Sequence, residues 1–389
     1  MNKYDILSIQ ERSDNARKQG RRVVNGCAGM LFRDDSSLCN YETVNEVIGK
    51  RFSSYLAYPA VLGSKEYADG VKKWIFGDFV DEYESGYQIP FSVTLGGTGA
   101  IALFFSWLKE MNGEAIISDI HWPNYETIAC EADIGMHTHN MFNREGTYDF
   151  KSLKEGIDAI LEEHDVAGLV INDPCQNPLG YCMSKEEYAT LINLLNSYHG
   201  KAYLLLDVAY VDYADTFPLL DEKMLLGNID FPVYFAFSCS KSFGLYGMRL
   251  GALFGLYGGN EDLSSWYTFA NRYARGTYSC ANNSAMGPMS EFFSDPQLTK
   301  KTRQEICHEK ERLLSIGRRT AKALDALGID HYPYGGGFYL TCRVDDAYAF
   351  ADSLEEKDIY FAPIAEDKVR IAVSGLTLED IDEFCRRMK

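Results

Sequence analysis

The chain lacks a basic surplus: 38 lysines and arginines stand against 56 aspartates and glutamates, a net charge of -18 over 389 residues. Nucleic-acid binders draw affinity from cations that displace counterions from phosphates, so no nucleic-acid partner is expected. Long apolar runs are missing too, and the stretch 1–20 is polar and charged, with no apolar core of the signal-peptide kind. Neither membrane association nor export is expected, which leaves a cytoplasmic protein. The ten cysteines, from Cys27 to Cys385, form no C-x-x-C pair, and the seven histidines form no H-E-x-x-H cluster. Reduced thiols and no metal centre are the corresponding expectations. No repeat, low-complexity tract or proline-rich linker interrupts the chain.

What is present is the texture of a soluble globular protein, 46% hydrophobic and 24% charged, long enough for two domains. Short apolar runs at 114–118, 166–172, 202–207, 232–238 and 250–255 alternate with helical stretches such as 184–198, which opens on the capping box Ser184-Lys-Glu-Glu187. That alternation predicts a mostly parallel sheet covered on both faces. After a turn at 292–295, a charged helix is expected over 308–327, stopped by Gly328. Strands near 337–343, 358–361 and 369–373 then interleave with helices at 347–354 and 378–388. The expected fold is α/β: a three-layer large domain over 46–288 and a smaller α/β domain over 289–389. Residues 1–45 form an arm and part of the small domain.

Five constellations carry candidate chemistry. In Leu95-Gly96-Gly97-Thr98-Gly99-Ala100, ahead of an apolar helix beginning at Ile101, backbone amides, the Thr98 hydroxyl and a helix N-terminus suit a phosphate, although such a segment can also be only a turn. His121-Trp122-Pro123-Asn124-Tyr125 offers Trp122 to stack on a planar ring, or simply to fill core. Asp173-Pro174-Cys175-Gln176-Asn177-Pro178-Leu179-Gly180 presents Asn177 after a strand, as a ring-oxygen donor or an ordinary turn residue. Asp207 closes an apolar strand, where a carboxylate needs a partner such as a protonated ring nitrogen, or else caps the next helix; Tyr210 is three residues on. In Ser238-Cys-Ser-Lys241, with Arg249 beyond, a lysine amine capable of a Schiff base sits among phosphate donors.

In this order, the five motifs resemble the fold type I pyridoxal-phosphate-dependent aminotransferases, in particular the aspartate and aromatic amino acid branch, from about Tyr58 to Arg370. The resemblance implies pyridoxal 5'-phosphate as cofactor, with Lys241 carrying the internal aldimine, Asp207 on the pyridinium nitrogen, and Tyr210 and Asn177 on the ring hydroxyl. Gly97, Thr98, Ser238, Ser240 and Arg249 would hold the phosphate, and Trp122 would cover the ring. Tyr58 would reach the phosphate of a partner subunit, which implies a homodimer with shared active sites. Arg370 would fork onto the substrate α-carboxylate, and Arg275, or the nearby Arg272, would take a distal carboxylate across the dimer.

The implied reaction moves an amino group from aspartate or an aromatic L-amino acid to a 2-oxo acid such as 2-oxoglutarate. A lyase or decarboxylase is the alternative on the same fold. The chain departs from the family pattern at Leu179, where Thr is usual, at Cys280-Ala281-Asn282 beside Arg275, and at Met30 and Leu31 in the N-terminal substrate loop.

Overall fold

The computed structural model describes residues 3–259 and 261–388, so the outermost expected domain limits, residues 1 and 389, lie outside it. Twelve strands occur among the described residues: β1 (Val24–Asn25), β2 (Phe91–Thr94), β3 (Gly113–Ser118), β4 (Met136–His139), β5 (Val166–Asn172), β6 (Ala202–Asp207), β7 (Val233–Ser238), β8 (Gly251–Leu256), β9 (Tyr339–Arg343), β10 (Ile359–Tyr360), β11 (Ala362–Ala365) and β12 (Lys368–Ala372). Seven form the main sheet in the order β2-β8-β7-β6-β5-β3-β4. The strands from β7 to β4 run parallel, and β8 runs against both its neighbours.

Strands β5, β7 and β8 are buried at every position, as strands covered on both faces must be. Alternation then sorts their side chains into two apolar layers. Leu204, Leu206, Phe235 and Phe237 join one, while Leu205, Tyr234 and Ala236 join the other with Phe104, Phe105 and Leu108 of the helix Gly96–Glu110. Glycine at 168 admits that helix, because a Cβ there would lie 2.1 Å from Leu108 Cδ1.

The register decides where function can sit. Asn172 pairs with Asp207, Asp207 with Ala236, and Ser238 with Gly251, so polar residues that end separate strands arrive at one edge. Ligands bind at this carboxyl edge in open α/β sheets.

A second, antiparallel sheet of order β11-β12-β9 follows the long helix Pro296–Leu327, and β1 pairs in parallel with β10. The N-terminal stretch is therefore no simple extended arm. It carries the helix Ile6–Lys18, held by Arg12 on Glu355 at 2.7 and 3.0 Å and by Asn25 Nδ2 donating to Ser13 Oγ at 2.9 Å.

Three helix limits differ from expectation. The long helix begins at Pro296 rather than His308, because the Asp295 carboxylate accepts from Gln297 N and Leu298 N and proline favours the first turn. The supposed turn at 292–295 is mostly helix, Asn283–Ser294, since Phe292 packs its ring on Phe243 at 5.5 Å and only Asp295 breaks the run. The helix expected from Ile101 starts at Gly96, so the glycines are its first turn.

The Ser184 capping box forms as read, with Ser184 Oγ accepting from Glu187 N and Glu187 returning to Ser184 N. Ser184→Ala should cost about 1 kcal/mol. Gly251→Ala should cost more, about 1–3 kcal/mol of overpacking strain, because its Cβ would meet only backbone, 2.5 Å from Phe237 O and 2.7 Å from Gly96 C. Denaturation midpoints of the two variants beside the parent measure both losses.

Candidate active site

A cavity of 200 Å³ opens at the carboxyl edge of the main sheet. It is lined by Gly97, Thr98, Trp122, Asn177, Asp207, Tyr210, Ser238, Ser240, Lys241 and Arg249, together with Asn172 and Tyr339. Ten residues proposed from separate stretches of sequence thus line one cavity.

Lys241 lies on a short helical turn, Cys239–Ser242, capped by the Ser238 hydroxyl, rather than on an open loop. Its ammonium donates to Gly29 O at 2.8 Å and sits 4.8 Å from the centre of the Tyr246 ring. Burial and the Arg249 cation push that ammonium down from 10.5 to about 8, although Asp207 pulls the other way. Asp207 is 5% exposed, and burial raises its carboxyl to about 6. Tyr125 limits the rise by donating its hydroxyl proton to Asp207 Oδ2 at 2.7 Å, with Ala209 N on Oδ1 at 3.2 Å. The amine and the carboxylate do not form an ion pair, although both line the cavity.

Groups suited to an anion also line the cavity. Arg249 has left-handed backbone, φ 52°, and its Nη1 reaches Ser240 Oγ at 3.4 Å while Nη2 reaches Leu95 O at 3.3 Å. Glycine at 96 has φ 71°, and a Cβ there would lie 2.7 Å from Arg249 Nη2, so only glycine lets the guanidinium cross the helix N-terminus. Gly97 and Thr98 follow in that first turn.

Arg370 is 5% exposed beside the cavity, stacked 4.5 Å over the Tyr339 ring. Its Nη1 donates to Asn177 Oδ1 at 3.4 Å and Nη2 to Cys27 O at 3.3 Å, but its buried Nε has no partner among the described residues. A buried donor left unsatisfied beside a cavity is free to meet an acceptor brought into it.

Tyr58 and Arg275 lie outside the cavity of their own chain. Tyr58 is 91% exposed, and Arg275 is exposed in the last turn of the helix Ser264–Thr277. Arg272 is already engaged, 2.8 Å from Glu110 Oε2.

The sequence reading missed four members of the site. Tyr125 follows Trp122 by three residues, one helical turn, and that spacing could have revealed it. Asn172 ends β5 as Asp207 ends β6; its Nδ2 donates to Asp207 O at 2.8 Å and its Oδ1 accepts from Asn177 N at 2.7 Å. Tyr339 and the Gly29 carbonyl come from distant segments and carry no local signal.

A lysine amine and a buried carboxylate in one cavity, beside a helix N-terminus crossed by an arginine, suit an enzyme that works with a phosphorylated carbonyl cofactor. The sequence model for aminotransferase class I and II matches residues 34–388, and the chain belongs to that family. It is a pyridoxal-phosphate-dependent aminotransferase, and the buried Lys241 and Asp207 of one cavity, the Gly96 cradle and the Arg370 Nε fit that cofactor.

Among curated relatives, an aspartate aminotransferase of Pseudomonas aeruginosa is 22% identical over 98% of this chain and 95% of its own. An aromatic-amino-acid aminotransferase of Paracoccus denitrificans is 25% identical over 71% of this chain and 69% of its own. The solved aminotransferase of Anaerococcus prevotii superposes with a TM-score of 0.89 at 26% identity, covering 98% of this chain and 94% of that one. The aromatic-amino-acid aminotransferase of Burkholderia pseudomallei, solved covalently bound to pyridoxal phosphate, shares the fold with a TM-score of 0.81 at 21% identity, covering 98% and 95%. Among the described residues no helix is long and apolar enough to cross a membrane.

The depressed Lys241 pKa has a consequence for stability. Between pH 8 and 10.5 the unfolded chain binds more protons at this lysine than the folded one, so the cofactor-free protein gains stability as pH rises through that window. Lys241→Met removes the buried cation. The cofactor-free variant should therefore melt above the parent near neutral pH, with the gap closing across that window in a pH series of thermal unfolding curves.

Proposed function

We propose that the protein transfers the amino group of L-aspartate or of an aromatic L-amino acid to a 2-oxo acid such as 2-oxoglutarate, as a homodimer with shared active sites. The observation that carries this reading is the free, buried Arg370 Nε beside the cavity that holds Lys241 and Asp207. It suits one substrate carboxylate next to a reacting amino group. Support for the substrate class comes from relatives named for aspartate and for aromatic amino acids. Support for the dimer comes from Tyr58 and Arg275, which stand exposed and outside their own chain's cavity. We divide the chain near residue 288 into the large unit and the small one, with residues 1–45 joining the small unit through β1 and β10.

When bound, pyridoxal phosphate supplies an aldehyde that takes up the amino group and a ring that draws off the electron pair left at Cα. Gly97, Thr98, Ser238, Ser240 and Arg249 hold the phosphate, with Tyr58 of the partner subunit. Asn177 and Tyr210 hold the ring hydroxyl, and Trp122 covers the ring. Asp207, kept ionised by Tyr125, keeps the ring nitrogen protonated. Lys241 Nζ, whose depressed pKa makes the neutral amine accessible, takes the proton from the substrate Cα. Arg370 grips the α-carboxylate bidentately, and Arg275 from the partner subunit meets a distal one.

Lys241→Ala should abolish both transamination and the hydride-reducible attachment of cofactor, read by absorbance and mass spectrometry. Arg275→Ala should lower kcat/KM for aspartate by about tenfold to a hundredfold, the worth of a charge-assisted contact, while activity on phenylalanine is retained. An equal loss on both substrates, or none, removes Arg275 from the site. Tyr125→Phe should move the acidic limb of the kcat/KM profile to higher pH, because the hydroxyl it removes holds the Asp207 carboxyl down.

A further inference from the structure

A second cavity, of 320 Å³, shares no lining residue with the first. It lies between the helix Lys65–Phe76, the turn Val211–Tyr213, the short helix Pro218–Asp221 and the long helix Pro296–Leu327. Trp74, Ile75, Phe217, Leu220 and Ile306 make its apolar lining. Its size falls within the range of small-molecule sites, about 300–1,000 Å³.

Charges of both signs face it without meeting. Arg303 and Lys310, seven residues apart, share one face of the long helix, and both line the cavity together with Asp212 of the turn Val211–Tyr213. Arg303 stacks 3.8 Å over the Trp74 ring and donates to Trp74 O at 2.8 Å; Asp212 Oδ2 accepts from Trp74 Nε1 at 3.2 Å. Among the described residues none of these three charged groups has an ion-pair partner, whereas the neighbouring Asp215 is paired with Arg318 and Asp221 accepts from Phe217 N at 2.7 Å.

Acids outnumber bases 56 to 38 in this chain, so the half-buried Lys310 is not left alone for want of carboxylates. Burial holds the Asp212 carboxyl above its ordinary range despite help from Ser242, Arg303, Trp74 and Lys310, so a cation brought to it would be stabilised.

We propose that this cavity is a second, non-catalytic binding site for a small zwitterion with an apolar body, an L-α-amino acid. Its carboxylate meets Lys310 and Arg303, its ammonium meets Asp212, and its side chain lies against Phe217, Leu220 and Ile306. Occupancy bears on the catalytic lysine through the next residue, since the Tyr213 hydroxyl donates to Lys241 O at 3.0 Å and shares a 2.7 Å hydrogen bond with Tyr41.

The test is equilibrium dialysis of the holoenzyme with α-methyl-L-phenylalanine, α-methyl-L-leucine and α-methyl-L-aspartate, which have no Cα hydrogen to lose. At least one of them should bind at two molecules per chain. Lys310→Ala and Asp212→Asn should each weaken the second molecule at least tenfold and spare the first, while Arg370→Ala should do the reverse. One molecule per chain for all three ligands, or a second molecule that survives both cavity substitutions, overturns the site. Equally tight binding there of 3-phenylpropanoate, which lacks the ammonium, overturns the zwitterion assignment.

Discussion

A buried carboxylate held by a continuous line of hydrogen bonds is the constraint on which the rest depends. Asp207 receives Tyr125, its backbone carbonyl receives Asn172, Asn172 receives the Asn177 amide, and Asn177 Oδ1 receives Arg370, whose other nitrogen reaches Cys27 O. This line runs from the main sheet to β12 and on to the N-terminal segment. A carboxylate removed from water would otherwise take up a proton or expel itself to the surface. Here it remains able to ionise, and the groups that hold it also place Arg370 beside the cavity.

The N-terminal segment closes over the same cleft by backbone contacts. Gly29 O accepts from Lys241, and the Tyr246 hydroxyl accepts from Leu31 N at 3.0 Å. Arg312 of the long helix donates to Phe32 O at 2.5 Å and to Asp34 Oδ1 at 3.0 Å. Glycine at 29 is compelled by this closeness, because a Cβ would lie 2.1 Å from the Tyr339 hydroxyl. Met30 and Leu31 therefore belong to the strap that carries the lysine's backbone acceptor.

Much of the fold was legible because its signals are local. The strands β5 and β6 lie where apolar runs end in Asn172 and Asp207, and the Ser184 box and the Gly328 stop act within one helical turn. The misread limits have two other causes. Phe292 is helical because it packs on Phe243, and residues 296–307 are helical because Asp295 caps them. One of these depends on a contact distant in sequence, and the other on a cap outweighing an apparent turn.

The sequence by itself determined the inventory: a lysine among serines, an aspartate at a strand end, glycines before a helix, and an order of motifs that points to one cofactor. Each of those residue types suits its chemistry wherever it is placed. Tertiary structure alone decided that Ser238, Asp207 and Asn172 end at one edge, since register is set by cross-strand pairing. It alone decided that Tyr125, Tyr339 and the Gly29 carbonyl join them, and that Lys310 and Asp212 line one separate cavity. Burial, the sum of contacts from every part of the chain, is what turns Lys241 and Asp207 from ordinary charges into reactive ones.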